Sequence, residues 1–236
     1  IISDSTKILK KNIILDKKFK YRIFSLDDGR LYTDRVHDTA AIIKNCIVDG
    51  PSFQYRENKN SYCKNNIVLK VGTPNIKRKL SGTVLSLLTG GGGNANYWHW
   101  LLDVLPRLKL ASESIDLKNI DYFLLPSLHE KFQTETLDIL NIPNNKRLSS
   151  KYYKHISADK IIITDHPYNL LNDPFKDSLN IPIWIINFLK EKFSSANKYS
   201  ENKFPKKFYI DRSDSKSNNK NLRKITNEKD VKNVLE

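Results

Sequence analysis

Apolar and polar positions along the first eighty residues fall into short runs separated by turn-forming residues. Residues 19–26 and 31–36 are two such runs, and Asp28-Gly29 between them predicts a β-hairpin. A third run, 41–48, ends at Gly50-Pro51; 52–56 and 67–71 read as further strands, and 58–66 as a polar loop. The pattern changes at Leu80. The apolar run 83–88 predicts a buried strand, and it ends in Thr89 and four glycines. Residues 97–111 then carry apolar positions at helical spacing, with Asn96 as N-cap and Pro106 predicting a kink or a loosened turn. Strands follow at 121–125, 160–164 and 207–210, and helices at 128–140, 183–194 and 227–235.

Strands alternating with helices of this length predict an α/β fold: a parallel sheet with helices on its faces. The chain divides into a β-rich N-terminal segment (1–79), an α/β domain (80–200) and a strand–loop–helix (205–236). That last unit has no following strand to pair with, and a complete doubly wound domain would need roughly a hundred more residues. The chain therefore reads as a fragment that stops just inside a second domain. The absence of Met agrees with this, because a translated chain starts with one.

The densest chemistry lies between residues 87 and 110. A strand that ends in Gly90-Gly91-Gly92-Gly93 and leads into a helix can hold a phosphate, because glycines admit close approach and the helix start offers free N–H groups. Gly90-x-Gly92-x-x-Ala95 also fits a loose dinucleotide-binding pattern, which keeps a dinucleotide-dependent enzyme as an alternative. The acidic residue that such a site needs after its second strand is missing, since that strand runs into Leu125-Pro126. Within the helix, His99 and Asp103 are four apart and share one face about a turn from the glycines. Such a pair can work as a general base, and both side chains are expected to face a groove beside the glycine loop. The remaining histidines, His37, His129, His155 and His166, are dispersed without metal-ligand spacing; His166-Pro167 follows a strand and could line a cleft, but His166 reads as a loop residue.

The stretch Asn96-Tyr97-Trp98-His99-Trp100-Leu101-Leu102-Asp103-Val104-Leu105-Pro106-Arg107-Leu108, preceded by a strand and glycines, resembles the signature of glycosyltransferase family 61. A second stretch is similar to the element that opens the family's C-terminal domain: Phe208-Tyr209-Ile210-Asp211-Arg212-Ser213, then Asn221-Leu222-Arg223-Lys224-Ile225-Thr226-Asn227-Glu228. The resemblance covers residues 80–236. It implies a GT-B architecture of two facing Rossmann-like domains, the second truncated here. It implies inverting transfer of a sugar from a nucleotide-sugar, commonly a UDP-sugar, to a glycan acceptor in surface or capsular polysaccharide synthesis by a bacterial enzyme. Mapped onto this chain, His99 and Asp103 are the base candidates; Gly91, Gly92, Gly93, Asn96, Arg212 and Arg223 are the donor-phosphate candidates. No Asp-x-Asp pair occurs, which favours a metal-independent reaction with no cofactor beyond the donor.

Composition changes this picture little. The 236 residues carry a net charge of +14, which invites a nucleic-acid or anionic-lipid partner and keeps a basic binding module as an alternative. Lys far outnumbers Arg, however, and the basic residues are scattered instead of forming one aromatic-interleaved stripe, so no nucleic-acid partner is expected. Two cysteines, Cys46 and Cys63, cannot build a disulfide framework or a zinc ribbon. No run approaches the roughly 18 apolar residues of a membrane span, and the first residues do not read as a basic, then apolar, then small-residue leader. The missing Asn-x-Ser/Thr sequons mildly favour a non-secretory chain, and the family resemblance implies the cytoplasm, with peripheral association at the inner face of the membrane left open.

Overall fold

The structure is a computed structural model that describes residues 8–16, 19–34, 39–52, 63–89, 95–168, 174–194 and 228–235. The chain forms two compact units, 1–196 and 197–236. The first holds one mixed sheet built from β1 (Ile8–Asp16), β2 (Phe19–Asp27), β3 (Arg30–Thr33), β4 (Thr39–Ile43), β5 (Cys46–Ile47), β6 (Arg78–Ser86), β7 (Tyr122–Leu125), β8 (Arg147–Ser149) and β9 (His155–Thr164). The strand order is β5-β4-β3-β9-β6-β7-β8, and β2 also pairs with β9 and carries β1 on its outer edge. Strands β9, β6, β7 and β8 run parallel, as the alternation from Leu80 predicts, while β1 to β5 join antiparallel. The strands of the 1–79 segment thus belong to the same sheet as the α/β segment.

The expected hairpin over 19–36 does not form. β2 and β3 lie end to end along β9 in one unbroken register, from Ile23↔Thr164 to Tyr32↔His155. Across the break the Asp28 amide donates to the Asp159 carbonyl (3.1 Å), and the Ala158 amide to the Gly29 carbonyl (3.3 Å). Asp28 adopts φ +56°, so the Asp-Gly pair kinks a long strand instead of reversing it. A matching irregularity crosses β6, where Gly82 has φ +91° and the register against β9 shifts between Leu80 and Thr83. Two carboxylates satisfy the amides freed there: Gly82 donates to Asp159 Oδ2 (2.8 Å) and Thr83 to Asp121 Oδ2 (2.7 Å).

These breaks make a corner. Ser149 pairs with Leu125 at the carboxyl end of the parallel strands, whereas His155 starts β9 at the opposite end, next to Ile156↔Arg78. Residues 150–154 can reach only about 20 Å. A flat sheet would require roughly 30 Å along the strands alone, so the sheet coils.

The helices are α1 (Val68–Val71), α2 (Tyr97–His99), α3 (Pro106–Ser112), α4 (Lys131–Ile139), α5 (Pro174–Ser178), α6 (Ile183–Phe193) and, in the second unit, α7 (Glu228–Leu235). One face of the sheet takes α3, α4 and α6: Leu108, Leu137, Trp184 and Phe188 pack with Leu85, Phe123 and Ile162. On the other face Phe24, Leu26, Leu31, Val84, Leu124, Ile161 and Ile163 cluster with one another, and no helical residue joins them. Helices were expected on the sheet's faces; among the described residues the corner lets the sheet cover its own second face.

Smaller departures have local causes. The run 41–48 is itself a hairpin, β4–β5, turned by Lys44 and Asn45 at φ +45° and +61°. Residues 68–71 are helical despite their β-branched composition: Asn66 Oδ1 accepts the Val68 amide, and Gly72 at φ +73° ends the turn. The expected strand 52–56 falls largely outside the described residues, as does all of 207–210. No described helix is long and apolar enough to cross a membrane.

Candidate active site

The crossover that leaves β6 begins at Asn96. Its side-chain oxygen accepts the amides of Trp98 (3.0 Å) and His99 (3.3 Å), which starts α2. Residues 100–104 form a π-helical turn, closed by the Leu105 amide on the Trp100 carbonyl (3.1 Å). The cause is one residue on: Pro106 has no N–H for the Leu102 carbonyl, so the ladder widens before α3 resumes. The loosened turn expected at Pro106 is therefore present. The Trp100 indole donates to Thr136 Oγ1 on α4 (2.8 Å) and fixes the rotation of this segment.

His99 Nδ1 and Asp103 Oδ2 are 2.6 Å apart. The carboxylate is fully buried, while 14% of the His99 side chain remains open. The two were expected to face a groove together; instead Asp103 lies in the interior, behind the imidazole. An ionised carboxylate only accepts, so with Asp103 ionised the contact calls for the proton on Nδ1, which puts the lone pair of a neutral ring on Nε2. Burial raises the Asp103 carboxyl above the usual range, opposed by the His99 hydrogen bond and charge, by Tyr168 and by the positive charge of Arg107.

Three residues outside the expected site complete the surroundings of Asp103. Arg107 is buried, donates through Nε to the Asp103 carbonyl (3.0 Å) and through Nη1 to the Thr164 carbonyl at the end of β9 (3.2 Å). Burial lowers its pKa to about 10 against the pull of Asp103, Asp165 and Tyr168. His166, expected as a loop residue, is buried with Nε2 3.9 Å from Asp103 Oδ2. Burial, then the charges of Arg107 and His99, hold it well below the ordinary histidine range, so it is neutral. Tyr168, also buried, meets the His166 ring edge-on at 4.6 Å between centroids. The available cue for His166 was its place just past the carboxyl end of a strand, where α/β sheets gather their ligands.

The segment carrying His166 is clamped on both sides. Arg22 of β2 makes a two-pronged contact with Asp165, Nε to Oδ2 (2.8 Å) and Nη2 to Oδ1 (2.9 Å), and its amide also donates to Oδ2 (2.8 Å). Tyr21 Oη donates to the Pro167 carbonyl (2.9 Å) while accepting the Trp184 indole N–H (2.9 Å).

Of the site residues expected from sequence, the structure brings together Asn96, His99 and Asp103. Gly91, Gly92, Gly93, Arg212 and Arg223 lie outside the described residues. A family model described as Glycosyltransferase 61 matches residues 97–236. No curated protein and no solved structure matches the chain.

Proposed function

We propose that this chain, which belongs to glycosyltransferase family 61 and is a glycosyltransferase, moves a sugar from a nucleotide-sugar to a glycan acceptor with inversion at the anomeric carbon. The observation that carries the mechanism is the 2.6 Å contact between a partly open imidazole and a fully buried carboxylate at the carboxyl ends of β6 and β9. His99 Nε2 takes the proton of an acceptor hydroxyl as that oxygen attacks the anomeric carbon. The bond from this carbon to the diphosphate oxygen breaks, and its electron pair leaves with the nucleoside diphosphate. Asp103 fixes the ring through Nδ1–H and stabilises the imidazolium that forms. This assigns the base to His99 and a positioning role to Asp103.

The remaining assignments follow the sequence resemblance: a GT-B architecture, a UDP-sugar donor, and surface or capsular polysaccharide as the product, made at the cytoplasmic face of a membrane. Gly91, Gly92 and Gly93 with the helix start at Asn96, and the guanidinium groups of Arg212 and Arg223, are proposed to hold the diphosphate and its growing charge. Asn96 uses its side-chain oxygen as the helix cap, so its share in phosphate binding rests on its amide group. The test is release of nucleoside diphosphate from a panel of nucleotide-sugars by the full chain. His99→Ala and Asp103→Asn are expected to abolish or cripple it, and full turnover in both variants would remove the proposed base.

A further inference from the structure

Trp98 stands apart from the other two tryptophans. Trp100 is 0% and Trp184 7% exposed, both in the core, whereas Trp98 is 38% exposed. Its backbone is pinned by the Asn96 cap (3.0 Å). Its ring meets His99 at 5.0 Å between centroids, at 86°, and Tyr168 at 5.7 Å, at 72°. Two edge-on rings therefore hold one part of the indole, and about a third of it remains open, roughly 90 Å² of a ~250 Å² side chain. A large aromatic surface kept open beside a proton-transferring imidazole has no packing role to explain it.

We propose that the open surface of Trp98 is a stacking platform for the acceptor sugar and takes the apolar C–H face of its pyranose ring. This rests on the assignment of His99 as base. An acceptor hydroxyl must lie about 2.6–3.2 Å from His99 Nε2 to give up its proton. The ring that bears this hydroxyl then overlaps an indole whose centre is 5.0 Å from the imidazole centre. The hydroxyl oxygen is already bonded to the acceptor ring, whereas the donor's reacting carbon is still across the bond being formed. The acceptor ring is therefore the part of the substrate pair held at the imidazole beside Trp98. Covering roughly 90 Å² of apolar surface corresponds to a roughly 20- to 50-fold gain in acceptor affinity.

Because Trp98 is the one exposed tryptophan of the three, its fluorescence reports the site without any turnover. Acrylamide should quench a single emission component in the full chain, and that component should vanish in Trp98→Phe. A panel of methyl pyranosides at tens of millimolar should protect it from quenching. In transfer assays Trp98→Ala should raise the acceptor KM roughly 20- to 50-fold, leave the donor KM unchanged and change kcat little; Trp98→Phe should recover most of the loss. Protection without turnover of any nucleotide-sugar would support the platform and refute the transfer mechanism. Turnover with an unchanged acceptor KM in Trp98→Ala would refute the platform and leave His99 as base, and so would quenching that no pyranoside protects.

Discussion

Replacing Asp103 by Asn tests the proposed division of labour most directly. The amide keeps the shape of the carboxylate but removes the charge behind His99 Nδ1–H. A hydrogen bond to a charged acceptor contributes about 1.5–3 kcal/mol. With the contact at 2.6 Å and the carboxylate fully buried, solvent screening is slight and the upper part of that range applies. If the bond strengthens as the imidazolium forms, kcat should fall about 40- to 150-fold with little change in either KM. The double variant His99→Ala/Asp103→Asn should be no slower than His99→Ala alone, because a positioning residue acts only through the group it positions. The pH profile adds a second reading. Asp103 works ionised, and burial lifts its carboxyl, so activity should be lost as pH falls through a value above the ordinary carboxylate range. Asp103→Asn should lose this carboxylate's share of the acid limb. Nucleoside diphosphate release measured across pH reads both effects. Multiplicative losses in the double variant, or Asp103→Asn within threefold of the parent, would refute the dyad.

His166 gives a stability counterpart: it is held neutral in the folded chain, while the unfolded chain takes up a proton near the ordinary histidine value. Stability should thus fall as pH drops below about 6.5, by up to ~1.4 kcal/mol per pH unit, and urea midpoints of His166→Asn should show a shallower decline; equal slopes would contradict its burial as a neutral group. Gly82→Ala places a side chain at φ +91° against the Asp121 carboxylate and should cost about 1–3 kcal/mol, a drop of roughly 3–10 °C in Tm; an unchanged Tm would remove the corner from β6. Burial pushes the Cys63 thiol up to about 11, so iodoacetamide at pH 8 should label half-buried Cys46 well before Cys63, as peptide masses would show; equal labelling would contradict the packing of Cys63 beneath β4.

The sequence was most legible where a local pattern decides the structure. Strands covered on both faces read as continuous apolar runs, so the cores of β6, β7 and β9 were found, and the His99–Asp103 spacing placed both on one helical face. β8 has only three residues, too few for periodicity to register. Asp28-Gly29 was read as a turn because the same positive φ that reverses a hairpin also kinks a strand; only β9 on the other side decides between them. The depth of Asp103 was hidden for a related reason. Helical spacing fixes which side chains share a face, but it does not say which of them the sheet will cover. Arg107 and His166 meet Asp103 only after β9 has packed under α3.

The family match begins at Tyr97, yet the supports of the site come from far upstream. Ile23 pairs with Thr164, so the next step of that register puts Arg22 opposite Asp165 and Tyr21 within reach of Pro167. A slip of one residue would turn Arg22 to the other side of the sheet and send Tyr21 away from the core. The kink at Asp28 keeps this register while letting the outer partner change from β1 to β4. The coiled sheet and the π turn therefore act on the same point from two sides. Pro106 sets how the helix presents His99 and Asp103, and the long β2–β3 strand sets where the end of β9 presents His166. The matched stretch carries the His99–Asp103 pair, and the N-terminal strands hold the segment beside it in place.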